Sequence, residues 1–126
     1  MNILAINGST RAKGNTHDCL EILKEHLKEK GHDVEIVDLR KKDLNPCLAC
    51  YKCKGKKTCI QKDDVNDLFQ KLLDAEAIVL GSPTYFSNVS SRMAMFIERT
   101  GIMARTNDNP LKHKVGAADR KSTRLN

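Results

Sequence analysis

The chain has 126 residues, 40% of them hydrophobic and 4% aromatic, so it is long enough for one domain with an aliphatic core. No apolar run approaches the roughly 18 to 20 residues that a membrane-spanning helix needs, so we expect no membrane association. The N-terminus, MNILAINGS, has neither the basic region nor the cleavage site of a secretion signal. We therefore expect a cytoplasmic protein in a reducing compartment.

The formal net charge of +6 raises the question of a nucleic-acid partner, but the charge pattern argues against one. The last eight residues, DRKSTRLN, contain three basic residues and one acidic residue, so they alone contribute +2. In the rest of the chain, basic residues alternate with acidic ones, as they do on an ordinary solvated surface. We expect no nucleic-acid binding.

The first 39 residues have the pattern strand, helix, strand. The apolar run NILAIN, Asn2–Asn7, predicts a buried strand that ends at Gly8. Leucines recur at helical spacing over residues 16–30, which predicts an amphipathic helix. Alternating apolar residues over 33–39 predict a second strand. A helical crossover between two adjacent strands makes them parallel neighbours.

The pattern resumes after a cysteine-rich segment. Asp63 and Asp64 precede apolar residues at helical spacing, which predicts that a helix begins there. The run EAIVLG, residues 76–81, predicts a third buried strand, followed by the loop SPTYFSN. A further helix is predicted from about residue 90 to 100, ending at Gly101. KVGAA, residues 114–118, predicts the start of a fourth strand.

Alternating strands and helices predict an α/β fold, a flavodoxin-like doubly wound parallel sheet of order 2-1-3-4-5, truncated after the start of strand 4. Residues 1–118 are expected to form this partial domain, with a cysteine-rich insertion at 46–62. Residues 119–126 are polar and charged where a buried strand should continue, so we expect a non-native-looking or disordered tail. In this strand order, the loops after strands one and three flank the place where ligands bind such sheets.

The loop after the first strand, GSTRAKGNT, has the groups that bind a terminal phosphate. Hydroxyl groups come from Ser9, Thr10 and Thr16. Asn15 adds an amide, and Arg11 adds a planar guanidinium. The loop leads into a helix N-terminus, whose free N–H groups favour an anion. The alternative is an ordinary connection in which Asn15 or Thr16 caps the helix.

The loop after the third strand, SPTYFSN, combines the rigid Pro83 with two adjacent aromatic residues, Tyr85 and Phe86. At the switch point between strands, this loop can lie along a planar heterocycle. Its backbone N–H groups can then bond to the polar edge of the ring. The alternative is that Tyr85 and Phe86 only cover the core at the end of the sheet.

Three segments, in this order, resemble a known family. GSTRAKGNT and GSPTYFSNVSSRMAMFIERTG resemble the NADPH-dependent FMN reductase family of flavodoxin-like proteins. CLACYKCKGKKTCIQKDD resembles the compact cysteine motif of its iron–sulfur flavoprotein branch. The resemblance covers about residues 1–118. Members of the family continue through a full fourth strand, another flavin-contacting loop and a fifth strand, and the sequence stops before these.

The resemblance implies FMN, bound non-covalently at the strand ends. The phosphate-loop positions of the family correspond to Ser9, Arg11, Asn15 and Thr16. The isoalloxazine-loop positions correspond to Pro83, Thr84, Tyr85 and Phe86.

The cysteine spacing is C-x2-C-x2-C-x5-C, formed by Cys47, Cys50, Cys53 and Cys59. A disulfide is sterically awkward in so short a loop and is disfavoured in a reducing compartment. Structural zinc usually takes two C-x2-C pairs with a longer spacer. Bacterial ferredoxins use the C-x2-C-x2-C core around a cubane cluster. We therefore favour a [4Fe–4S] cluster, with zinc, a disulfide or unligated thiols as alternatives. Cys19 stands apart, and we expect it in the core.

Together these motifs predict an FMN-dependent oxidoreductase that passes electrons from a carrier such as ferredoxin to an acceptor, through FMN and the cluster. No catalytic side chain is expected, because the cofactors carry the chemistry. Five lysines surround the cysteines and would attract an acidic carrier, unless they serve only to keep the loop soluble: Lys52, Lys54, Lys56, Lys57 and Lys62.

Two alternative functions remain open at this stage. One is an NAD(P)H-dependent FMN or quinone reductase without a cluster, and the other is a zinc-stapled interaction domain without flavin. The cysteine loop follows the second strand rather than the switch point, so the path from cluster to flavin within one subunit is expected to be long. We therefore expect a homodimer or homotetramer that places one subunit's cluster near another's flavin.

Overall fold

A computed structural model describes residues 1–121 as a twisted sheet with helices on its faces. The strands are β1 (Asn2–Asn7), β2 (Asp33–Asp38), β3 (Ala77–Tyr85), β4 (Asn88–Val89) and β5 (Val115–Lys121). The helices are α1 (Asn15–Glu29), α2 (Val65–Asp74) and α3 (Ser91–Arg105), and a 3-10 turn spans Leu39–Lys41.

The sheet has the predicted flavodoxin-like order. β2, β1, β3 and β5 pair side by side and are all parallel, so β5 takes the place predicted for the fourth strand. β4 is a short antiparallel strand on the end of β3. Because all four long strands run in one direction, their carboxyl ends meet at one edge of the sheet. The chain segments that follow β1 and β3 therefore lie next to each other.

The core is aliphatic and lies between the sheet and the helices, as the composition predicts. Ala5 and Ile6 of β1 are completely buried, and β1 has a strand on each side. The apolar stripe of α2 is buried as its spacing predicts: Val65, Leu68, Phe69 and Leu72. Phe96 and Met103 of α3 join the same cluster. Burying each such side chain contributes about 1.5–3 kcal/mol.

Two elements are longer than the sequence predicts. β3 was predicted to end at Gly81 but continues to Tyr85, because β4 pairs with its last two residues. α3 was predicted to end at Gly101 but continues to Arg105. Met103 and Ala104 are buried in this last turn, and their packing outweighs the weak helix propensity of the glycine.

The expected position of Cys19 was wrong, because its side chain is exposed. The buried residues of α1 are Thr16 and Leu20, and Cys19 is displaced from that face by one residue, or about 100° around the helix. Its neighbour Leu20 occupies the place next to the sheet.

The predicted tail begins at residue 119, and β5 continues to Lys121. Residues 122–126 of that prediction lie outside the described residues. None of the helices in residues 1–121 combines the length and the apolar character needed to cross a membrane.

Candidate functional site

The two predicted cofactor loops meet at the carboxyl edge of the sheet. The backbone N–H of Gly8 donates to the carbonyl oxygen of Gly81, at 2.8 Å. The hydroxyl oxygens of Thr10 and Tyr85 are 3.2 Å apart, which is hydrogen-bond distance. The segments after β1 and β3 thus form one continuous surface, as the strand order predicts.

A buried asparagine shapes the loop after β1, residues 8–14, which is predicted to bind the phosphate. Asn7 is completely buried, and its side-chain amide donates to the carboxylate of Asp38 at 3.0 Å. Its carbonyl oxygen accepts the backbone N–H of Ser9 at 3.0 Å. The hydroxyl oxygen of Ser9 in turn accepts the N–H of Arg11 at 3.1 Å. Ser9 is buried by these contacts, while the side chain of Arg11 lies at the exposed outer side of the loop.

The start of α1 is left without a side-chain cap. The N-cap position is Gly14, and Asn15 is the first helical residue, so neither Asn15 nor Thr16 caps the helix. The first N–H groups of an uncapped helix need an acceptor, and a phosphate oxygen can supply one. Thr16 is buried, and its methyl group lies 3.3 Å from where a Cβ at Gly81 would be.

Ser90 joins the two loops and was missed by the sequence analysis. It is completely buried, its hydroxyl donates to the carbonyl oxygen of Gly8 at 2.5 Å, and its N–H donates to the hydroxyl of Ser82 at 2.9 Å. Its hydroxyl oxygen also accepts the N–H of Met93 at 3.1 Å, which caps α3. A serine directly before an amphipathic helix is an N-cap signal, and this signal marks the residue in the sequence.

Gly8 sits where the phosphate loop passes closest to α3. A Cβ at this position would lie 3.0 Å from the Cβ of Met93 and 3.1 Å from the hydroxyl oxygen of Ser90. Contacts this short are rare between side chains, so a larger residue here would force its neighbours to shift by a few tenths of an ångström, and the close approach of loop and helix favours glycine.

The predicted flavin loop is a tight hairpin. Phe86 and Ser87 connect β3 to β4 with φ angles of 47° and 62°, a left-handed conformation that is unfavourable for residues other than glycine. Strain of this kind concentrates at functional sites. The ring of Phe86 is fully exposed and Tyr85 is 40% exposed, so neither covers the core.

Thr84, next to the hairpin, has an unsatisfied buried hydroxyl group: within residues 1–121 its oxygen has no hydrogen-bond partner. Buried polar groups are nearly always satisfied, so a polar group of a ligand is a suitable partner here. Pro83, directly before it, is half-buried in β3 and its carbonyl oxygen accepts the hydroxyl of Ser82 at 2.8 Å.

The environment at the meeting point of the loops favours negative charge. The hydrogen bond with Thr10 lowers the pKa of Tyr85 below its ordinary value, and the positive charge of Arg11 acts in the same direction. Together with the start of α1, these groups favour a bound anion.

The four clustered cysteines line one small cavity. Cys53 is buried, Cys47 and Cys59 are half-buried and Cys50 is exposed. All five cysteines of the chain are free thiols in this structure, so no disulfide is present. Among residues 1–121, no three His, Cys, Asp or Glu side chains are grouped closely enough to hold a metal ion. The cavity volume of about 20 Å³ is room for about one water molecule, so the loop must open to take a larger group.

The cavity nevertheless has the donor set of a thiolate site. The backbone N–H of Ala49 donates to the sulfur of Cys47 at 3.3 Å, and that of Gln61 donates to the sulfur of Cys59 at 3.4 Å. Donors of this kind stabilise thiolates and tune bound clusters. Four thiols, with N–H groups directed at two of them, are the donor type that soft metal ions and iron–sulfur groups prefer, but residues 1–121 do not gather them closely enough to hold one in this conformation.

Helix α3 and the turn that follows it hold the cysteine loop in place. Asn107 donates to the carbonyl oxygen of Cys53 at 3.0 Å and accepts the N–H of Lys57 at 3.1 Å. Arg99 donates to the carboxylate of Asp63 at 2.6 Å, and both side chains are buried. Burial raises the pKa of Asp63, but the hydrogen bonds and charge of Arg99, together with other hydrogen bonds, hold it below its ordinary value.

The surface around the thiol cavity mixes charge and apolar area. The five predicted lysines are exposed: Lys52, Lys54, Lys56, Lys57 and Lys62. Leu48, Tyr51 and Ile60 line the cavity and are also at least half exposed.

A wider groove, of about 470 Å³, lies at the opposite, amino-terminal edge of the sheet. Its lining mixes both signs of charge, and Glu35 and Lys71 within it form an ion pair. None of the predicted site residues lines this groove, and we assign no function to it.

The fold defines the class: a doubly wound α/β protein of flavodoxin type, a class in which ligands bind at the carboxyl edge of the sheet. Comparison with sequence families is more specific. The model of the NADPH-dependent FMN reductase family matches residues 1–119, and the chain belongs to this family.

The similar proteins agree with this assignment. An iron–sulfur flavoprotein of Archaeoglobus fulgidus is 42% identical over 118 residues, which are 93% of this chain and 57% of that protein. One of Methanocaldococcus jannaschii is 37% identical over 100 residues, 79% of this chain and 52% of that protein. The chain thus spans about half the length of these relatives.

Solved structures show the same fold at lower identity. RosB, solved with 8-demethyl-8-formylriboflavin-5'-phosphate, superposes with a TM-score of 0.79 at 17% identity, over 95% of this chain and 51% of that one. An NAD(P)H:quinone oxidoreductase from Methanothermobacter marburgensis superposes with a TM-score of 0.67 at 19% identity, over 79% of this chain and 53% of that one.

Proposed function

We propose that this chain is the FMN-binding part of a flavin-dependent oxidoreductase. The observation that carries the proposal is the contact between Thr10 and Tyr85, which joins the two loops at the position where such sheets bind ligands. Family membership supports FMN as the cofactor.

In this proposal the loop after β1 holds the phosphate. Arg11 supplies a cation, Ser9 shapes the turn, and the uncapped N–H groups at Asn15 and Thr16 supply donors. A phosphate monoester carries close to two negative charges and therefore gains most from this environment. The glycine at position 8 lets this loop lie close to the start of α3.

The hairpin after β3 is proposed to hold the isoalloxazine ring. Phe86 and Tyr85 present exposed aromatic surface, and Thr84 has a buried hydroxyl in need of a partner. Pro83 stiffens the strand that carries them. FMN, when bound, supplies hydride and single-electron transfer, so the role of these residues is to bind and orient the ring.

We further propose that Cys47, Cys50, Cys53 and Cys59 hold a [4Fe–4S] cluster. The shared cavity and the N–H groups directed at two sulfurs support this, and the similar archaeal proteins are named iron–sulfur flavoproteins. A cluster transfers one electron at a time, while a flavin accepts one or two. The pair would relay electrons from a carrier to an acceptor.

The proposed carrier is an acidic protein such as ferredoxin, attracted by the five exposed lysines around the thiols. NAD(P)H is the proposed alternative donor, since the family is described as NADPH-dependent. A homodimer or homotetramer is proposed to bring one subunit's cluster near another's flavin. Leu48, Tyr51 and Ile60 are apolar and exposed beside the thiols, as an interface requires.

The second candidate function is an NAD(P)H-dependent FMN or quinone reductase without a cluster. The description of the matching family favours it, because that description names NADPH and FMN but no cluster. A zinc-stapled domain without flavin is disfavoured by the same match. Both candidates share the FMN site.

Cofactor analysis on anaerobically purified protein separates these functions. We expect one FMN per chain and, after reconstitution with iron and sulfide, about four iron atoms and four sulfides per chain, with visible absorption that bleaches on reduction. FMN without iron would support the cluster-free reductase. One zinc without FMN would contradict both.

A further inference from the structure

We infer that Arg99 is a positioning residue for the thiol cavity: its guanidinium fixes the sulfur of Cys59 and stabilises negative charge on the group that the thiolates bind. The inference rests on the proposed function in one respect, namely that the four thiols act together as a ligand set.

The guanidinium joins three parts of the cysteine loop. Nη1 of Arg99 donates to the carbonyl oxygen of Asn45 and to Oδ2 of Asp63, both at 2.6 Å. Nη2 donates to Oδ1 of the same carboxylate at 3.1 Å and to the sulfur of Cys59 at 3.4 Å. The side chains of Arg99 and Asp63 are only 1% and 2% exposed. One buried cation therefore holds the start of the loop, its end and one of its thiols.

The contact with sulfur is not needed to place the cysteine. Asn66 of α2 already fixes the backbone of Cys59, since it accepts the N–H at 2.7 Å and donates to the carbonyl oxygen at 3.0 Å. The additional bond from Arg99 therefore acts on the sulfur itself. A buried ion pair is weak evidence of stabilisation, because its desolvation offsets its attraction. The hydrogen bond from Arg99 to the Cys59 sulfur therefore indicates that the buried pair has a role at the thiol, beyond stabilising the fold.

Arginine suits this role and lysine does not. The planar guanidinium has separate N–H groups for a two-pronged bond to carboxylate and for a third partner. A lysine ammonium keeps the charge and can pair with Asp63, but it cannot span the carboxylate, the Asn45 carbonyl and the sulfur together. Arg99→Lys therefore removes the directed bond to sulfur while retaining a cation.

The direction of the effect follows from the hydrogen bond to sulfur. Adding an electron to a group bound by thiolates makes it more negative, and a bond donated by Nη2 of Arg99 to the Cys59 sulfur favours the more negative state. Arg99 is therefore expected to raise the reduction potential of a bound cluster and to strengthen the binding of a divalent cation by four thiolates. Its replacement is expected to lower both.

The cofactor loops provide an internal control. Ser90, which ties those loops together, precedes Arg99 by nine residues on the same helix, or about 14 Å along its axis. A substitution at Arg99 that preserves the fold is therefore expected to leave FMN affinity within about twofold of wild type. Loss of FMN affinity would show instead that the variant had misfolded.

The first experiment uses cobalt(II) alone as the probe, on reduced, metal-free protein. Sulfur-to-cobalt charge-transfer absorption reports thiolate binding, and a competing chelator gives the affinity. We expect Arg99→Lys to bind at least tenfold more weakly than wild type. Arg92→Lys is the matched control, because Arg92 lies on the same helix and donates to the carbonyl oxygens of Leu39 and Lys42 but to no sulfur. We expect its affinity to be unchanged.

The second experiment measures the reduction potential after reconstitution with iron and sulfide, on variants with equal iron per chain. We expect Arg99→Lys to lower the equilibrium constant for reduction at least tenfold, which is about 59 mV for a one-electron couple. Asn66→Ala loosens the backbone of Cys59 without changing the charge at its sulfur, so we expect it to leave the potential unchanged.

The outcomes separate this inference from the proposed function. Wild-type cobalt affinity and potential in Arg99→Lys would overturn the inference, as would an equal shift of potential in Asn66→Ala. Failure of wild type to bind cobalt through thiolates would also overturn it. If wild type binds cobalt but assembles no cluster, the proposed cluster fails, and the cobalt comparison of Arg99→Lys with Arg92→Lys alone decides the role of Arg99.

Discussion

The hydroxyl oxygens of Thr10 and Tyr85 lie 3.2 Å apart, although 75 positions separate the two residues in the chain. Thr10 lies in the loop after β1, and Tyr85 ends the neighbouring strand β3. The contact exists because parallel strands bring their carboxyl ends to one edge. It joins the segment that suits a phosphate to the hairpin that suits a planar ring.

This contact predicts a measurable change in acidity. The hydrogen bond with Thr10 lowers the pKa of Tyr85 from its ordinary value of 10.0, because it stabilises the phenolate. Thr10→Ala is therefore expected to raise the pKa of Tyr85. Phenolate absorbance during alkaline titration measures it, and subtraction of the Tyr85→Phe curve removes the signal of Tyr51.

The lowered pKa of Tyr85 also makes the stability of the protein depend on pH. A lowered pKa in the folded state adds stability above the unfolded value of 10.0, and this stability is lost as pH falls through the folded value. Thr10→Ala should therefore destabilise the protein more in strongly alkaline solution than at neutral pH. An unchanged Tyr85 titration would show that the two hydroxyls do not interact in solution.

Ser90 is expected to matter for both stability and cofactor binding. Ser90→Ala removes the cap of α3 and leaves the carbonyl oxygen of Gly8 without its hydroxyl donor, while the backbone N–H of residue 90 can still donate to Ser82. We expect the free energy of unfolding to fall by about 1–3 kcal/mol and FMN affinity to fall with it. Denaturant titration and flavin fluorescence measure the two effects.

The neighbouring serine is the control for this prediction. Ser91 is exposed at the first position of α3, so Ser91→Ala is expected to change stability by less than about 0.5 kcal/mol. Equal effects of the two substitutions would contradict the role assigned to Ser90.

Two glycines are expected to respond in opposite directions to alanine. At Gly8 a Cβ would lie 3.0 Å from the Cβ of Met93, so Gly8→Ala must displace the loop or the helix and is expected to destabilise the protein and weaken FMN binding. At Gly101, inside α3, a Cβ would meet nothing within 4 Å. Gly101→Ala is expected to stabilise by about 0.5–1 kcal/mol.

Thermal unfolding of the two variants tests this pair. A stabilising effect of Gly8→Ala would show that the phosphate loop does not pass as close to α3 as the structure has it. A destabilising effect of Gly101→Ala would show that α3 does not continue through this residue.

Asp63 is expected to link stability to acidity. Its pKa lies below the ordinary value of 3.8 in the folded state, so its contribution is present above that value and is lost as pH falls through the folded pKa. Asp63→Asn leaves the charge of Arg99 buried without its partner, so we expect a loss of about 3–5 kcal/mol at neutral pH. The stability of this variant should also depend less on pH between about 5 and 2.

Denaturant titrations across that pH range measure both effects, with Asp67→Asn as the control. Asp67 is exposed in the first turn of α2, the helix that follows Asp63. If Asp63→Asn retained wild-type stability at neutral pH, the ion pair would not be buried as the structure shows.

The sequence predicted the features that depend on periodicity and on the handedness of crossovers. The spacing of apolar residues is enough to identify the strand β1 and the buried face of α2. The parallel strand order then places the loops after β1 and β3 side by side. The structure confirms both expectations: the α2 stripe is buried, and the two loops are in contact.

The features that the sequence did not predict depend on partners far along the chain. The end of β3 contains Ser82, Pro83 and Thr84 and has no strand signal of its own, but pairing with β4 and β5 holds it extended. α3 passes through Gly101 because residues beyond it are buried. Arg99 looks like an ordinary surface charge in the sequence, since its carboxylate partner lies 36 residues away.

The most direct test of the cofactor site compares FMN with riboflavin, which has the same ring but no phosphate. Quenching of flavin fluorescence gives both affinities for wild type, Arg11→Ala and the control Lys13→Ala, which replaces an exposed cation of the same loop. We expect wild type to bind FMN at least tenfold more tightly than riboflavin, and Arg11→Ala alone to lose most of that preference. Equal affinity of wild type for the two flavins, or no binding of FMN, would contradict the site at the carboxyl ends of β1 and β3.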